Sequence, residues 1–347
     1  MAESTKSVLI VGVGSIGERH LRCFNQTGRA DVAICEINDS LRTTVANRYG
    51  VKRTFETIDE ALRCRFDAAV IATPAPFHIP LAIEAARRGI HLLIEKPLST
   101  TIEGIDDLVY VCTKQRITAA VAYVMRCHPA LAAAREALLS GRFGRPLQVV
   151  VVSGQNFPYY RPAYRDTYYA QRSSGGGAIQ DALTHFINAV EWVVGQASCV
   201  LADAAHLAVP GVDVEDTVNV IARHGDVLAA YMLNQHQPPN ESTVTVVCER
   251  AVVRVMLHNN RWAHATDPKG EWTEQSFDSL LPDDLFIRQA HAFLDAMEGD
   301  ADIVCTLAEG AATLNSILAI LRAADNPPWI VVPNSTTELT RRALETL

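Results

Sequence analysis

Over the first 125 residues, short and almost uninterrupted apolar runs alternate with longer stretches whose apolar positions recur every three or four residues. The runs at 7–11, 31–36, 67–72, 91–94 and 117–123 read as strands covered on both faces, with a shorter extended piece at 51–55. Helical periodicity runs from the glycines after residue 11 to about 26, then over 41–49 and 79–88, the last closed by Gly89. Thr57-x-x-Glu60 and Thr100-x-x-Glu103 have the form of capping boxes, each opening a further helix. Strands alternating with helices of this length predict a parallel, doubly wound sheet with right-handed crossovers.

The pattern changes after residue 125. A helix at 128–139 leads into a long valine-rich strand at 146–155, and residues 178–194 form a helix that is apolar nearly all round. From 197 to 265 strands dominate: 197–208, 216–223, 227–234, 242–249 and 251–257. The links at 224–226 and 249–250 read as hairpin turns of a meander. Two helices follow, at 284–297 and 307–324, then an extended piece at 329–332 and a helix near 337–345. The expected organisation is therefore a Rossmann domain over 1–125 and an α+β domain over 126–347, which carries the substrate site and the subunit contacts. One set of helices covers only one face of the second sheet, so its other face is a candidate interface of a homodimer or homotetramer.

The candidate chemistry sits where the strands of the first half end. Gly12, Gly14 and Gly17 follow the first strand and open a helix. Glycines there permit a tight turn, backbone approach to a pyrophosphate and close helix–strand packing, while the amides of Ser15 and Ile16 face the phosphates. Glu36 ends the second strand, 19 residues past Gly17, where an acid reaches a ribose diol and favours NAD over NADP. The fourth strand ends in a loop that two prolines hold extended, placing Thr73, Pro74 and His78 at the same sheet edge; His78 is also placed to cap the next helix. The fifth strand stops at Glu95, Lys96 and Pro97, because proline removes a backbone donor and disfavours helix at the residue before it. Lys96 is either a solvated loop lysine or the cation that faces the reacting group.

In the second half, residues 157–172 are dense in tyrosine and arginine, suiting either an oxygen-rich ligand or a loop packing its own rings. Tyr164 and Tyr168 from this segment, with Tyr123 and Arg126 just past the sixth strand, are the candidate substrate contacts. After Gly175, Gly176 and Gly177, the apolar helix carries Asp181, His185 and Asn188 at i, i+4 and i+7, one stripe if the helix is regular. Such a stripe is either a self-satisfied core network or a catalytic face. No metal is expected on it, since a fourth ligand is absent and Lys96 would repel a cation.

Composition narrows the class further. Of 347 residues, 48% are hydrophobic and 20% charged, as in ordinary globular proteins. A net charge of −8 argues against a nucleic-acid or anionic-membrane partner, leaving a small molecule. The eight cysteines are scattered with no paired spacing, and residues 1–7 carry no signal-peptide pattern, so a cytoplasmic address is expected.

Taken together, the Gly12/Gly14/Gly17 fingerprint, the loop from Ala72 to His78, Glu95-Lys96-Pro97, the triple glycine with its helix, and Gln289 to Leu294 resemble the glucose–fructose oxidoreductase/inositol dehydrogenase family, Gfo/Idh/MocA. That resemblance implies an open, mostly antiparallel second sheet and a nicotinamide cofactor. It also implies oxidation or reduction of sugars, cyclitols or related polyols, with Lys96, Asp181 and His185 as the catalytic set. Asn188 stands where many relatives have an acid. Lys96 and His185 both remain candidates for the proton acceptor. The family also admits a non-catalytic nucleotide and sugar sensor, and enzymes that cleave glycosides with NAD.

Overall fold

The computed structural model describes residues 5–328; the extended piece expected at 329–332 and the helix near 337–345 lie outside the described residues. The first half runs β1 (Lys6–Val11), α1 (Ser15–Gln26), β2 (Ala30–Cys35), α2 (Asp39–Tyr49), β3 (Thr54–Phe55), α3 (Ile58–Ala61), β4 (Ala68–Ile71), α4 (His78–Ala86), β5 (His91–Ile94), α5 (Ile105–Gln115) and β6 (Ala119–Val121). The second half runs α6 (Pro129–Leu139), β7 (Pro146–Asn156), α7 (Phe157–Tyr160), α8 (Thr184–Val194), β8 (Cys199–Ala205), β9 (Thr217–His224), β10 (Val227–Asn234), β11 (His236–Cys248), β12 (Val252–Met256), β13 (Arg261–Ala265), β14 (Thr273–Ser276), α9 (Asp284–Glu298) and α10 (Leu307–Asp325).

The first six strands form one parallel sheet in the order β3-β2-β1-β4-β5-β6. This is the Rossmann order, whose ligand crevice lies beyond the carboxyl ends of the strands where the order reverses, between β1 and β4. Side chains on β4 and β5 are buried on both faces, which is why their sequences are apolar without alternation.

The second sheet has eight strands in the order β14-β13-β12-β11-β7-β10-β9-β8. Every pairing is antiparallel except β7 with β10. The expected meander is therefore interrupted, because β7, drawn from before the helix, inserts between β10 and β11. β14 carries Thr-Glu-Gln-Ser with every side chain exposed, so no apolar alternation announced it. On β9, Val218, Val220 and Ala222 are buried, while Ile221 of β9 and Leu228 and Met232 of β10 lie on the open face.

Two helix starts differ from expectation. Thr57 does accept from the Glu60 amide at 3.3 Å, but Glu60 reaches back to the Glu56 amide instead of closing the box. The Thr100 box does not form: α5 starts at Ile105, after Gly104 in the left-handed region at φ 76°. Gly104 can take that conformation without the penalty a Cβ carries.

The C-terminal helices do not stay with the second sheet. Ala290, Phe293 and Leu294 of α9 pack into the core of the first sheet, Phe293 edge-on to Phe24 of α1 at 6.3 Å. Val121 of β6 donates its amide to Cys305 at 2.9 Å, and α10 continues from there into the second core through Ile317, Ile320 and Leu321. A single cut at 125/126 thus does not divide the packing, since residues far beyond it complete the first domain. By length and composition α10 would pass as a membrane span, yet it is laid between the two cores.

Candidate functional site

The glycine loop has the form a dinucleotide needs. Gly12 adopts φ +83°, and a Cβ there would lie 2.9 Å from the Ala72 carbonyl oxygen. A Cβ on Gly17 would lie 1.9 Å from the Gly12 carbonyl oxygen, so α1 can approach β1 only with glycine at that turn. Gly14, the N-cap of α1, faces open space and offers no side-chain cap. The first-turn amides at Ser15 and Ile16 are thereby left for an anion, at the positive end of the helix.

The Glu36 carboxylate stands at the rim of this loop. It accepts from the Val13 amide and from the Asn38 amide, each at 3.0 Å, which leaves lone pairs on both oxygens. Arg42 is committed to the Glu36 carbonyl at 2.5 Å and to Asp39 at 2.6 Å. Thr73, two residues past β4, has its hydroxyl buried and without a partner. An orphaned hydroxyl costs about 1–3 kcal/mol, so this one fits a site that a bound cofactor completes. Pro74 beside it is exposed.

His78 does not cap α4, whose N-cap is Phe77. It is fully buried, with Nδ1 3.0 Å from the Pro97 carbonyl and Nε2 2.7 Å from the Thr73 carbonyl. Burial lowers its pKa, although both neighbouring carbonyls favour the charged ring. Its role in this geometry is to fasten the loop after β4 to the loop after β5. Glu95 is likewise turned inward: Oε1 meets His20 Nε2 at 2.6 Å, and Oε2 accepts from the Lys96 amide at 2.9 Å.

Past the carboxyl end of β5, Lys96 meets Asp181. Lys96 Nζ donates to the Asp181 carbonyl at 2.9 Å and to Asp181 Oδ1 at 3.0 Å, leaving one N–H uncommitted. The Tyr168 hydroxyl donates to the same Oδ1 at 2.6 Å. The ring of Tyr168 is half-exposed while its hydroxyl lies within the cluster, where the Asp181 charge raises its pKa well above the ordinary value. Burial alone would raise the Asp181 carboxyl, but Lys96 and Tyr168 outweigh it and hold the pKa below the usual range.

His185 is near this group but not tied to it. No hydrogen bond links it to Asp181, and its Nδ1 is buried without a partner. Burial and the Lys96 charge push its pKa down to about 3, so the ring is neutral at physiological pH.

Three expected contacts, and Asn188 of the expected stripe, fall elsewhere. Tyr123 is buried, bonds Thr184 Oγ1 at 2.9 Å and meets the His185 ring edge-on at 6.0 Å. Arg126 is buried and bonds Asn188, the Val304 carbonyl and Glu309, at 2.8, 2.9 and 2.6 Å. Tyr164 packs with Phe157 and Tyr169 in a separate small core and donates to the Pro210 carbonyl. Asn188 faces Arg126 and Thr313 instead of sharing a stripe with Asp181. A π-helical turn at Ile179–Leu183 precedes α8, and its wider winding breaks the i, i+4, i+7 spacing. Among the described residues, no three His, Cys, Asp or Glu side chains converge as metal ligands.

His20 was missed, although a signal for it existed. It falls on the apolar stripe of α1 with Gly17, Leu21 and Phe24, where a buried imidazole requires a partner.

Comparison with known proteins agrees with this geometry. Residues 6–123 match the Gfo/Idh/MocA model described as an oxidoreductase family with an NAD-binding Rossmann fold. Residues 131–254 match the C-terminal domain model of the same family. The 1,5-anhydro-D-fructose reductase of Ensifer adhaerens is 24% identical over 331 residues, 91% of this chain and 95% of that protein. The rhizopine catabolism protein MocA of Rhizobium meliloti is 27% identical over 189 residues, so the match spans 54% of this chain and only 56% of that relative. Levoglucosan dehydrogenase, solved with NADH and levoglucosan, has the same fold at TM-score 0.84 and 22% identity, covering 95% of this chain and 100% of that one. The WlbA dehydrogenase from Bordetella pertussis, solved with NADH and UDP-GlcNAcA, gives TM-score 0.76 at 26% identity over 94% of this chain and 100% of that one. With both of its domains matched, the chain belongs to the Gfo/Idh/MocA family of oxidoreductases and carries that family's NAD-binding Rossmann domain at its N-terminus.

Proposed function

We propose that this protein is an NAD-dependent dehydrogenase that moves a hydride between nicotinamide and a secondary alcohol of a sugar, sugar acid or cyclitol. The observation that carries the reading is Lys96, whose Nζ is held on Asp181 at the carboxyl edge of β5 with one N–H free. Bound NAD supplies the hydride acceptor. The free N–H of Lys96 stabilises negative charge developing on the substrate oxygen. Neutral His185 stands beside it as a proton acceptor, and Asp181 orients Lys96 through its carbonyl and carboxylate. Tyr168 adds a hydroxyl at the mouth. The names of the relatives support a polyol substrate. Screening sugars, sugar acids and inositols with NAD should yield reduced nicotinamide with at least one; reduction with none would reject the reading.

Glu36 is expected to accept the adenosine ribose diol on its unused lone pairs and to repel a 2′-phosphate, while Ile37, 80% exposed beside it, suits the adenine face. Arg42 is already bonded and does not offset that repulsion. NAD should therefore be preferred over NADP by more than about tenfold in kcat/KM, a discrimination of about 1.4 kcal/mol. Comparable values for the two cofactors would remove Glu36 from this role.

A homodimer or homotetramer built on the open face of the second sheet is part of the same reading. Ile221, Leu228 and Met232 are each about half exposed there, and Ala230 pairs with Ile221 across the strands. Ala230→Arg should reduce the mass measured by light scattering to that of the monomer, whereas a wild-type monomer at micromolar concentration would reject the assembly. Val220 faces the helices, so its substitution would test folding instead. A cytoplasmic address completes the reading, supported by eight unpaired cysteines.

A further inference from the structure

We propose that His20 is a positioning residue, whose buried hydrogen bond to Glu95 holds Lys96 in register with the helix that receives the cofactor phosphates. The inference rests on the dehydrogenase reading for its kinetic arm alone. His20 lies in the second turn of α1, whose N-terminus is the phosphate end, and is 1% exposed; Glu95 is 4% exposed. An ionised carboxylate only accepts, so His20 Nε2 carries the proton of the 2.6 Å bond. The other Glu95 oxygen accepts from the amide of Lys96 itself at 2.9 Å. A continuous path thus runs from α1 through the imidazole and the carboxylate to the backbone of Lys96. Burial alone would raise the Glu95 carboxyl, but His20 and Lys96 keep it below the usual range, so the acceptor stays ionised.

The imidazole is itself fixed. Phe286 of α9 packs edge-on against it at 5.6 Å, and Phe24 lies at 6.5 Å. His78 of α4 lies between the Pro97 carbonyl, 3.0 Å from Nδ1, and the Thr73 carbonyl, 2.7 Å from Nε2. The short stretch from Glu95 to Pro97 is therefore gripped by two buried histidines, one from the phosphate helix and one from α4. The three donors of Lys96 are aimed by this grip, and a displacement of about 1 Å at such a group costs about 10²-fold in rate.

The test uses the full chain. His20→Leu removes the donor, and His20→Gln restores an N–H at a similar reach. The chain has five lysines, Lys6, Lys52, Lys96, Lys114 and Lys269, so 13C-labelled lysine resolves Lys96 by the signal that Lys96→Met removes. His20→Leu should move the Lys96 signal and leave the other four in place, while His20→Gln should leave all five. Turnover should fall by about 10²-fold in His20→Leu with little change in the KM for NAD, and remain near normal in His20→Gln. In a Lys96→Met background His20→Leu should cost nothing more, because a residue acting through Lys96 has nothing left to position. Should His20→Leu not fold, His20→Asn, whose amide falls short of Glu95, takes its place. An unmoved Lys96 signal in a folded variant, or an equal loss of rate with and without Lys96, overturns the proposal. Absence of wild-type turnover on every polyol would count against the dehydrogenase reading, and the lysine signal would then decide this one.

Discussion

Lys96→Met is expected to lower turnover by about 10²–10³-fold, the usual cost of losing one donor to a developing oxyanion. Methionine keeps the length and apolar contacts of the stem but removes the charge and all three N–H groups. Two of those groups now bind the carbonyl and carboxylate of Asp181. The substitution therefore also leaves Asp181 with Tyr168 as its remaining partner, and its pKa should rise. NAD affinity should change little, because the groups that receive the phosphates and ribose lie at Gly12–Gly17 and Glu36. Steady-state kinetics and nucleotide titration separate these outcomes. Near-normal turnover would make Lys96 a structural ion pair, and a loss of NAD affinity matching the loss of rate would make it a cofactor-positioning residue.

Arg126→Ala is expected to act on stability and not on substrate affinity. The guanidinium is 3% exposed and joins the stretch after β6 to α8 through Asn188 and to the start of α10 through Val304 and Glu309. It also lies over the Trp192 ring at 5.3 Å. Glu309 closes the capping box of α10, so the same carboxylate starts that helix and neutralises the arginine. Truncation leaves Asn188 Oδ1 unpaired and opens a cavity, while the half-exposed Glu309 can return to water. The net cost should be about 3 kcal/mol, toward the low end for breaking a buried pair. Thermal unfolding should shift down by about 4 °C. If Arg126 were instead a substrate contact, the KM for the sugar would rise while the melting temperature held.

The contrast between those two residues shows what the sequence discloses. Lys96 was legible because its place follows from local rules: an apolar run, a proline stop and the strand-end geometry of a doubly wound sheet. The glycine loop and Glu36 were legible for the same reason. Arg126 sits at a strand end too, but Glu309, 183 residues on, takes up its guanidinium. Nothing local marks that encounter. Asn188 was misplaced because a π turn is invisible to a 3.6-residue count. Tyr164 and Tyr168 look alike in sequence, yet one fills a small core and the other reaches Asp181. α9 joined the first domain because that sheet had a face left to cover, a requirement of packing and not of order along the chain.

Hydride transfer to the nicotinamide is the defining step of the proposed activity. Wild-type protein incubated with NAD and polyols deuterated at the carbinol carbon should place deuterium on the nicotinamide ring, with one ketone formed per reduced cofactor, and Lys96→Met should do so about 10²–10³-fold more slowly. Unlabelled, unreduced nicotinamide across the whole panel, or a released leaving group with no net reduced cofactor, would contradict it.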